Sequence, residues 1–437
     1  MPKNRLLFCC TLFIFFTACS PSKKVAGNGQ TFLQNAAIKN AHAGVCIFDA
    51  SANRYIYNYQ GDHYFMPASN TKLFSCYAAL KHLDDSIIGL RYYETPDSLF
   101  LLPSGDPTLL YRDFTVNPVL DFLKTNAKPV SVSDAFWKEN AWGLGWSWDD
   151  YPYYYMAERS PMPIYGNVAH TIFTYDSITQ QIHFVQTPDV TGGTSYKLNT
   201  ELKSPSVIRM INADSFNIEY PLQNSNWTDE VPFITNGLST AAKLLGNKSW
   251  TIHNILPTSY SNYKKLHSQP LDSMLKPMMY RSDNFYAEQT LLMVSNELLG
   301  YMNDAAIIDT LLKTDYKDLP QKPDWIDGSG LSHYNLFTPE DFITLLIKMK
   351  NEFGLERIHN ILPKGNTGTL EGLYVKIGDR IFGKTGTING VVALSGYLTC
   401  KSGRLLIFSV LVNNHTGRAQ AVRKAIEQML MSVWEKY

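Results

Sequence analysis

The chain changes its pattern twice, and this limits the folds that it can adopt. Residues 42–49 and 54–59 have strand character around a short turn, and an apolar helical pattern runs from 69 to about 83. Short strand-like runs then alternate with polar turns through residues 92–265, where helical pattern is scarce. From about 269 helical periodicity returns, and the chain ends in strands and a helix. We therefore predict one α/β domain that is split by a mostly β insert.

The boundaries of this division follow from the same patterns. We assign residues 31–91 and 266–437 to the two parts of the split domain and residues 92–265 to the insert. In the second part, the predicted helices are 271–280, 284–299, 304–312, 339–353 and 417–435, and the predicted strands are 380–387, 391–399 and 404–412. In the insert, the predicted strands are 99–102, 171–175, 182–186 and 207–212, and the predicted helices are 116–125 and 238–246.

Length and composition bound the class of the protein. A chain of 437 residues is long for a single core, so two or three domains are expected. It is 45% hydrophobic and 18% charged, which is typical of a globular protein. Lys plus Arg and Asp plus Glu are 39 each, so the chain lacks the basic charge of a nucleic-acid-binding protein. The ten histidines show no metal-ligand spacing, and no metal or other cofactor is predicted.

The N-terminus has the pattern of a targeting segment. Lys3 and Arg5 precede an apolar run over 6–16 that is too short to cross a bilayer as a helix. Small residues then lead to Cys19, which resembles a bacterial lipoprotein signal. We predict a signal peptide over 1–18 and a lipidated, flexible tether over 19–30 that holds the protein at the periplasmic face of a membrane. The alternative is an ordinary secretory signal and a soluble periplasmic protein.

Three cysteines follow Cys19. Cys46, Cys76 and Cys400 lie in apolar contexts at wide spacings, and no Cys-x-x-Cys occurs. We interpret them as small buried hydrophobic residues. One disulfide between two of them is left open.

A Ser-x-x-Lys sequence stands at the start of the first helical pattern. Residues three apart on a helix share a side, so Lys72 is expected beside the hydroxyl of Ser69. A partly desolvated lysine can take the proton of a serine and make it a nucleophile. The spacing alone is weak evidence, because it also occurs at Ser20/Lys23, Ser261/Lys264 and Ser273/Lys276.

Two further motifs support a catalytic interpretation of Ser69 and Lys72. Ser282-Asp283-Asn284 lies between two predicted helices, and Lys384-Thr385-Gly386 lies on a predicted strand. The ordered set of Ser-x-x-Lys, Ser-x-Asn and Lys-Thr-Gly resembles the signature of penicillin-binding proteins and β-lactamases. This resemblance implies their transpeptidase-like α/β (α+β) fold, with the nucleophile at Ser69.

The resemblance is narrowed by the long stretch between Ser69 and Ser282, which is much shorter in class A β-lactamases. The chain is similar to the D-alanyl-D-alanine carboxypeptidase/endopeptidase family, peptidase family S13, over roughly residues 30–437. The phrases that fit this family are residues 104–109, 145–150, 327–332 and 368–370.

The resemblance implies a role for each motif residue. Ser69 would attack the carbonyl between two D-alanines to form an acyl-enzyme, and Lys72 would accept its proton. Ser282 would relay a proton to the leaving amine, and Lys384 would keep this network positively biased. Water would then release the acyl group, whereas a β-lactam would leave a persistent acyl-enzyme.

The remaining motif residues would bind the substrate. The resemblance assigns the substrate amide to Asn284 and an oxyanion hole to the backbone N–H groups of Ser69 and Thr387. The Lys-Thr-Gly strand, with Gly386, would place the hydroxyls of Thr385 and Thr387 against the terminal carboxylate. The expected partners are therefore peptidoglycan stem peptides, β-lactams and, through Cys19, a membrane, with no nucleic acid.

Two competing functions stay open at this point. One is a serine β-lactamase or esterase of the same fold, for which the sequence offers no class A-like glutamate. The other is a non-catalytic peptidoglycan-binding lipoprotein, which would have no need of the nucleophile. Among neighbouring residues, we expect Asp283 to pack or cap, Ser329 to lie in a loop, and the aromatic cluster 142–151 to form insert core and not a glycan platform.

Overall fold

The computed structural model describes residues 21–437 except 177, 180, 191, 222–225 and 247–249. The predicted signal peptide and Cys19 lie outside the described residues. Within the described part of the chain, no helix has the length and apolar character needed to cross a membrane.

The chain forms a mixed α and β structure with ten α-helices and sixteen strands in the described residues. The helices are α1 (Pro21–Leu33), α2 (Lys72–His82), α3 (Pro118–Thr125), α4 (Ser239–Leu244), α5 (Leu271–Tyr280), α6 (Asn284–Leu299), α7 (Asp304–Lys313), α8 (Pro339–Phe353), α9 (Leu355–Ile361) and α10 (Ala419–Lys436). The first eight strands are β1 (His42–Asp49), β2 (Arg54–Tyr59), β3 (Ser86–Glu94), β4 (Leu99–Pro103), β5 (Val130–Ser133), β6 (Val168–Asp176), β7 (Gln181–Thr187) and β8 (Gly193–Leu198). The last eight are β9 (Ser206–Arg209), β10 (Ser215–Tyr220), β11 (Trp227–Pro232), β12 (Trp250–His253), β13 (Lys264–Pro270), β14 (Ile381–Ile388), β15 (Val391–Thr399) and β16 (Leu405–Asn413).

A five-stranded antiparallel sheet joins strands from the two ends of the chain. Its strand order is β14-β15-β16-β1-β2, so the early hairpin extends a sheet whose other strands come from the C-terminal region. Alternate residues of β16 enter different cores: Phe408 and Val410 face one side, and Ile407 and Leu411 face the other. This alternation follows from the two-residue period of a strand, and it shows that both faces of the sheet are covered.

Two helical layers cover this sheet. Helices α1 and α10 pack on one face, and the other face packs against a layer that contains α2, α5, α6 and α8. Helix α6 is at the centre of the second layer, because every residue from Phe285 to Asn296 is buried. Packing on all sides of this helix holds it in place, and Asn284 is its first residue.

The region between α2 and α5 forms three further sheets, one with five strands and two with three. Their strand orders are β12-β5-β4-β3-β13, β11-β6-β7 and β8-β10-β9, and they share a hydrophobic core of their own. Strands β3 and β13 cross the expected boundaries at 91/92 and 265/266, and they pair with each other. The β character of this region and the α/β fold around it are as the sequence predicts.

Most predicted elements are confirmed, with shifts of a few residues at their ends. Helices α5, α6 and α8 and strand β15 have the predicted limits. Cys46, Cys76 and Cys400 are buried and free, which confirms the hydrophobic interpretation and closes the question of a disulfide among them. Helix α1 covers Pro21–Leu33 and its Phe32 packs into the core with α10, so the segment expected as a tether over 19–30 is helical from Pro21 onward.

Candidate active site

The serine of the first motif lies in a strained turn before its helix. Ser69 is part of a 3-10 helix over Ala68–Thr71, and α2 begins only at Lys72, so the prediction that the helix opens at Ser69 is corrected by three residues. Ala68 has a φ of 47°, a left-handed conformation that a residue with a Cβ atom adopts only under outside constraint. Gly330 packs against this turn and supplies the constraint, since a Cβ atom on Gly330 would lie 1.9 Å from the Ala68 carbonyl oxygen.

The Lys72 side chain makes three polar contacts in a fully buried position. Its Nζ lies 2.9 Å from Ser69 Oγ, 2.6 Å from Asn284 Oδ1 and 2.8 Å from the Ser329 carbonyl oxygen. The Asn284 amide is oriented by a second bond, in which Nδ2 donates to the Tyr155 carbonyl oxygen at 3.0 Å. Two of the three partners of Lys72 are therefore oxygens that only accept hydrogen bonds.

This arrangement determines what a neutral Lys72 would do. A neutral amine has two N–H donors and one lone pair. The donors are taken by the oxygens of Asn284 and Ser329, so the lone pair is left facing the Ser69 hydroxyl. The geometry is that of a base beside its proton donor.

Burial also makes the neutral form accessible. Removal from water lowers the pKa of the Lys72 ammonium to about 8, and the charges of Asp327 and Glu288 partly oppose this shift. A lysine with this pKa has a substantial neutral fraction near neutral pH, which an exposed lysine lacks.

Ser282 and Lys384 form a second pair in which a lysine contacts a serine hydroxyl. Ser282 adopts a left-handed φ of 61°, and its Oγ accepts a hydrogen bond from Lys384 Nζ at 2.8 Å. Lys384 Nζ also donates to the Thr385 carbonyl oxygen at 2.6 Å. Burial and then the charge of Lys72 lower the pKa of Lys384 well below its usual value. That shift opposes the positive bias expected from Lys384.

The Lys-Thr-Gly strand approaches the serine turn closely at Gly386. A Cβ atom there would lie 2.6 Å from the Pro67 carbonyl oxygen and 3.1 Å from the Ser69 amide nitrogen. Glycine is required at this position because no side chain would fit. Thr385 is buried, whereas Thr387 is exposed and its hydroxyl donates to the Gly386 carbonyl oxygen at 2.8 Å.

The motif residues surround one cleft of about 770 Å³. Its lining includes Ser69, Ser282, Asn284, Thr385 and Thr387, with the ammonium groups of Lys72 and Lys384 buried beneath. The structure thus brings together all three motifs from distant parts of the chain.

The aromatic cluster 142–151 is at the mouth of this cleft, and its expected role as insert core is wrong. Trp148 is 75% exposed, and Ser147, Asp149 and Asp150 line the cleft. The cluster is held in place from outside the insert, because Trp146 Nε1 donates to Asp327 Oδ2 at 2.9 Å. Ser147, Asp149 and Asp150 of this cluster therefore lie along the cleft and not in the core of the insert.

Sequence reasoning missed the groups that support Lys72. The loop that carries Ser329 is shaped by the buried carboxylate of Asp327, which accepts from the amides of Gly330 and Ser332 at 2.8 and 2.6 Å. Glu288 accepts from the Ser329 amide at 2.7 Å. The phrase over 327–332 was the available signal for this loop. Glu288, which lies inside a helix, offered none.

Sequence reasoning also left the residues around Ser282 open. Asp283, not Ser282, caps α6, since its side chain accepts from the Tyr286 amide at 3.1 Å. This confirms the capping interpretation of Asp283 and leaves the Ser282 hydroxyl to Lys384. Arg423, on α10, donates to Thr387 Oγ1 at 2.8 Å and also lines the cleft. No motif in the sequence pointed to it.

The fold and this cleft define a serine hydrolase in which lysines contact both serines. The chain belongs to the D-Ala-D-Ala carboxypeptidase 3 (S13) family, whose model matches residues 26–206 and 255–434. It is thus a serine DD-peptidase, as the sequence resemblance implied.

Individual relatives agree with this assignment. A D-alanyl-D-alanine carboxypeptidase of an Actinomadura species is 26% identical, and the match covers 91% of this chain and 82% of the relative. The D-alanyl-D-alanine carboxypeptidase DacB of Haemophilus influenzae is 23% identical, with 86% of each chain covered. The crystal structure of penicillin-binding protein 4 (dacB) from Haemophilus influenzae has the same fold, with a TM-score of 0.73, 20% identity and coverage of 93% of this chain and 97% of that one.

Proposed function

We propose that Ser69 is the nucleophile of this DD-peptidase and that Lys72 is its general base. The observation that carries the proposal is the set of contacts at Lys72 Nζ, which leaves its lone pair for the Ser69 hydroxyl. In the first step, Ser69 Oγ bonds to the carbonyl carbon of the penultimate D-alanine, and its proton passes to Lys72. The lowered pKa of Lys72 favours this transfer near neutral pH.

The same proposal assigns the second half of the reaction to Ser282 and Lys384. The C–N bond breaks, and the leaving amine takes the proton that Lys72 received, relayed through Ser282, whose hydroxyl is in contact with Lys384. Asn284 holds the substrate amide, and the N–H groups of Ser69 and Thr387 stabilise the oxyanion. The oxygen of a water molecule then bonds to the acyl carbon, the bond from that carbon to Ser69 Oγ breaks, and the proton lost by the water passes to Ser69 Oγ.

We further propose that stem peptides of peptidoglycan are the substrates, as free D-Ala-D-Ala ends or as cross-links, and that penicillins acylate Ser69. Relatives named as carboxypeptidases and a structural neighbour named as a penicillin-binding protein support this choice.

A β-lactamase or esterase is less favoured, because the described lining of the cleft includes no glutamate that could drive deacylation. A purely binding role gives no reason for two buried lysines that contact serines.

The proposed division of the chain keeps residues 31–91 and 266–437 as the catalytic domain and residues 92–265 as the insert. The central sheet, which unites β1 and β2 with β14 to β16, supports a single split domain. The separate hydrophobic core of β3 to β13 and α3 supports an insert with its own packing.

The cell-wall role of the family implies an exported or periplasmic enzyme. We propose that residues 1–18 are its signal peptide and that Cys19 carries a lipid at the start of the tether. The test is Cys19→Ala, which should move the protein from the membrane fraction to the soluble fraction. Retention in the membrane fraction would contradict the anchor.

Labelling with a fluorescent penicillin tests the nucleophile. Wild-type protein should retain the label through denaturing electrophoresis, and Ser69→Ala should take up none. Ser261→Ala is the matched control, because exposed Ser261 also precedes a lysine by three residues. Label on Ser69→Ala equal to that on the wild type would exclude the proposed nucleophile, and rapid loss of label from the wild type would favour the β-lactamase reading.

A further inference from the structure

The most exposed aromatic side chains of this protein lie beside the mouth of the cleft. Among the described residues, the four aromatic side chains with the largest exposed fractions, each more than half exposed, are Trp148, Tyr334, Tyr154 and Tyr153. Tyr154 lines the cleft, whereas the other three lie outside its lining. Leu144, close by in the chain, is 69% exposed. Large apolar groups that are left together in water indicate a binding surface.

Two segments from distant parts of the chain build this surface. The amide of His333 donates to the Gly145 carbonyl oxygen at 3.2 Å, and a Cβ atom on Gly145 would lie 2.7 Å from Tyr334 Cδ2. One side of the Tyr334 ring therefore packs on backbone, while more than half of the side chain stays in water. Trp148 follows Gly145 by three residues, so its Cα lies within about 11 Å of this contact.

We call Leu144, Trp148 and Tyr334 the aromatic surface, and it adjoins the cleft at two points. Both chain neighbours of Trp148 line the cleft, and so does the residue before Tyr334. A substrate whose reacting end lies at Ser69 can thus extend onto the aromatic surface without leaving the protein.

The charge around the aromatic surface narrows the class of ligand. Residues 141–155 and 331–336 contain no lysine or arginine, whereas Asp149 and Asp150 place two carboxylates at the cleft edge. An anionic lipid surface attracts clusters of basic residues, so a membrane does not suit this surface. A sugar ring has apolar C–H faces that pack on aromatic rings, and its hydroxyl groups can donate to carboxylates. The composition therefore fits an uncharged carbohydrate.

We propose that the aromatic surface binds the N-acetylhexosamine glycan to which the stem peptide is attached. This inference rests on the proposed function of the cleft, and it extends the substrate from the peptide to the sugar chain. It reverses the expectation from the sequence that the cluster 142–151 is not a glycan platform. The contact would favour substrates that carry their sugars over free stem peptides. It would act through binding, because the sugars lie away from the bond that breaks.

Two substrates test this preference. One is a stem pentapeptide that ends in D-Ala-D-Ala, the other is the same pentapeptide with its disaccharide attached, and release of D-alanine measures both. Trp148→Ala should lower kcat/KM for the disaccharide substrate roughly 3- to 10-fold, mainly through KM, as expected for loss of one aromatic stacking contact. It should leave kcat/KM for the free peptide within about twofold, which also reports that the cleft is intact.

Tyr334→Ala should show the same selective loss, because its ring belongs to the other segment of the aromatic surface. The matched control is Tyr59→Ala, which removes an exposed tyrosine from β2, outside both segments. Its two rates should equal those of the wild type.

Two results would overturn the inference and leave the proposed function standing. One is an equal kcat/KM of the wild type for the two substrates, and the other is an equal fall for both substrates in Trp148→Ala and Tyr334→Ala. If the wild type releases D-alanine from neither substrate, the proposed function fails first and the inference fails with it.

Discussion

Two Ser-x-x-Lys pairs on helices in this chain have the same spacing and very different surroundings. Ser69 and Lys72 meet in a buried cleft, where Lys72 Nζ lies 2.9 Å from Ser69 Oγ. Ser273 and Lys276 lie one turn apart on α5, and both are exposed. The Lys276 ammonium lies 5.3 Å from the centre of the Tyr280 ring, away from Ser273.

The difference shows that Ser-x-x-Lys spacing on a helix can bring a lysine near a serine, whereas burial changes the protonation of that lysine. An exposed lysine is solvated, stays protonated and has rotamers that lead away from the serine. The buried lysine has lost its water, and fixed acceptors from Asn284 and Ser329 replace that water on two sides. Those acceptors come from α6 and from a loop beyond α7, so only the folded chain gives the pair the surroundings that we propose make it reactive.

The largest expected contrast between the two pairs is in the acylation rate after each lysine is replaced. Lys72→Met should slow acylation by penicillin by about 10²- to 10⁴-fold, the usual contribution of a general base. Lys276→Met should leave the rate unchanged. Stopped-flow or gel-based labelling rates would measure both, with circular dichroism as the check on folding. A Lys72→Met protein that folds and acylates at the wild-type rate would remove Lys72 from the mechanism.

A second contrast depends on the close approach of a strand, which only the Ser69 pair has. Gly386→Ala would place a methyl group 2.6 Å from the Pro67 carbonyl oxygen, so β14 must move away from the serine turn. We expect the acylation rate to fall by about 10²-fold, because a shift near 1 Å at a catalytic group has that effect.

Gly417→Ala is the control for this change, since a Cβ atom at Gly417 meets nothing within 4 Å. It should keep both the acylation rate and the melting temperature of the wild type. Equal rates for the two alanine variants would mean that the oxyanion donors are not where β14 and Ser69 meet.

The pH dependence of acylation should report the buried lysine. Lys72 must be neutral to accept a proton, and burial lowers its pKa to about 8. The rate should therefore rise about tenfold per pH unit below that value and level off above it. Acylation rates measured between pH 6 and 10 provide the check. Lys276→Met should show the same curve as the wild type, and a profile that is flat across pH 8 would argue against a neutral Lys72 as the base.

The smallest expected effect concerns the helix that carries Asn284. Asp283 caps α6 through the Tyr286 amide, and Asp283→Ala should lower the free energy of unfolding by about 1 kcal/mol. Asp283→Asn keeps a capping oxygen and should recover most of this loss. Urea denaturation measures both variants. We expect acylation to change by only a few-fold, and a loss as large as that of Lys72→Met would assign Asp283 a direct role in the chemistry.

Much of the fold followed from local sequence patterns. The limits of α5, α6, α8 and β15 were predictable because turns, caps and apolar periodicity coincide at their ends. Thr338, for example, caps α8 in front of Pro339, as its sequence indicates. The serine turn was harder, because a left-handed Ala68 has no local signal and depends on Gly330 packing against it from far along the chain.

The candidate site was predictable to the extent that its residues belong to motifs. The three motifs name Ser69, Lys72, Ser282, Asn284, Lys384 and the Thr-Gly-Thr that follows. They do not name Glu288, Asp327 or Arg423, since each contacts a partner that is distant in sequence: Ser329, Trp146 and Thr387, respectively. The aromatic cluster 142–151 was misassigned for a related reason. Composition indicates that such residues pack against apolar surface, but it does not say which of them face a cleft.

The sequence by itself determined the family, the α/β class and the order of the three motifs, because these depend on residue type and spacing along the chain. Only the tertiary structure decided which of the Ser-x-x-Lys pairs is buried, where the lone pair of Lys72 points and that Arg423 lies beside Thr387 in the cleft. The physical reason is that desolvation and hydrogen-bond geometry are properties of neighbours in space. In this chain those neighbours come from opposite ends of the sequence.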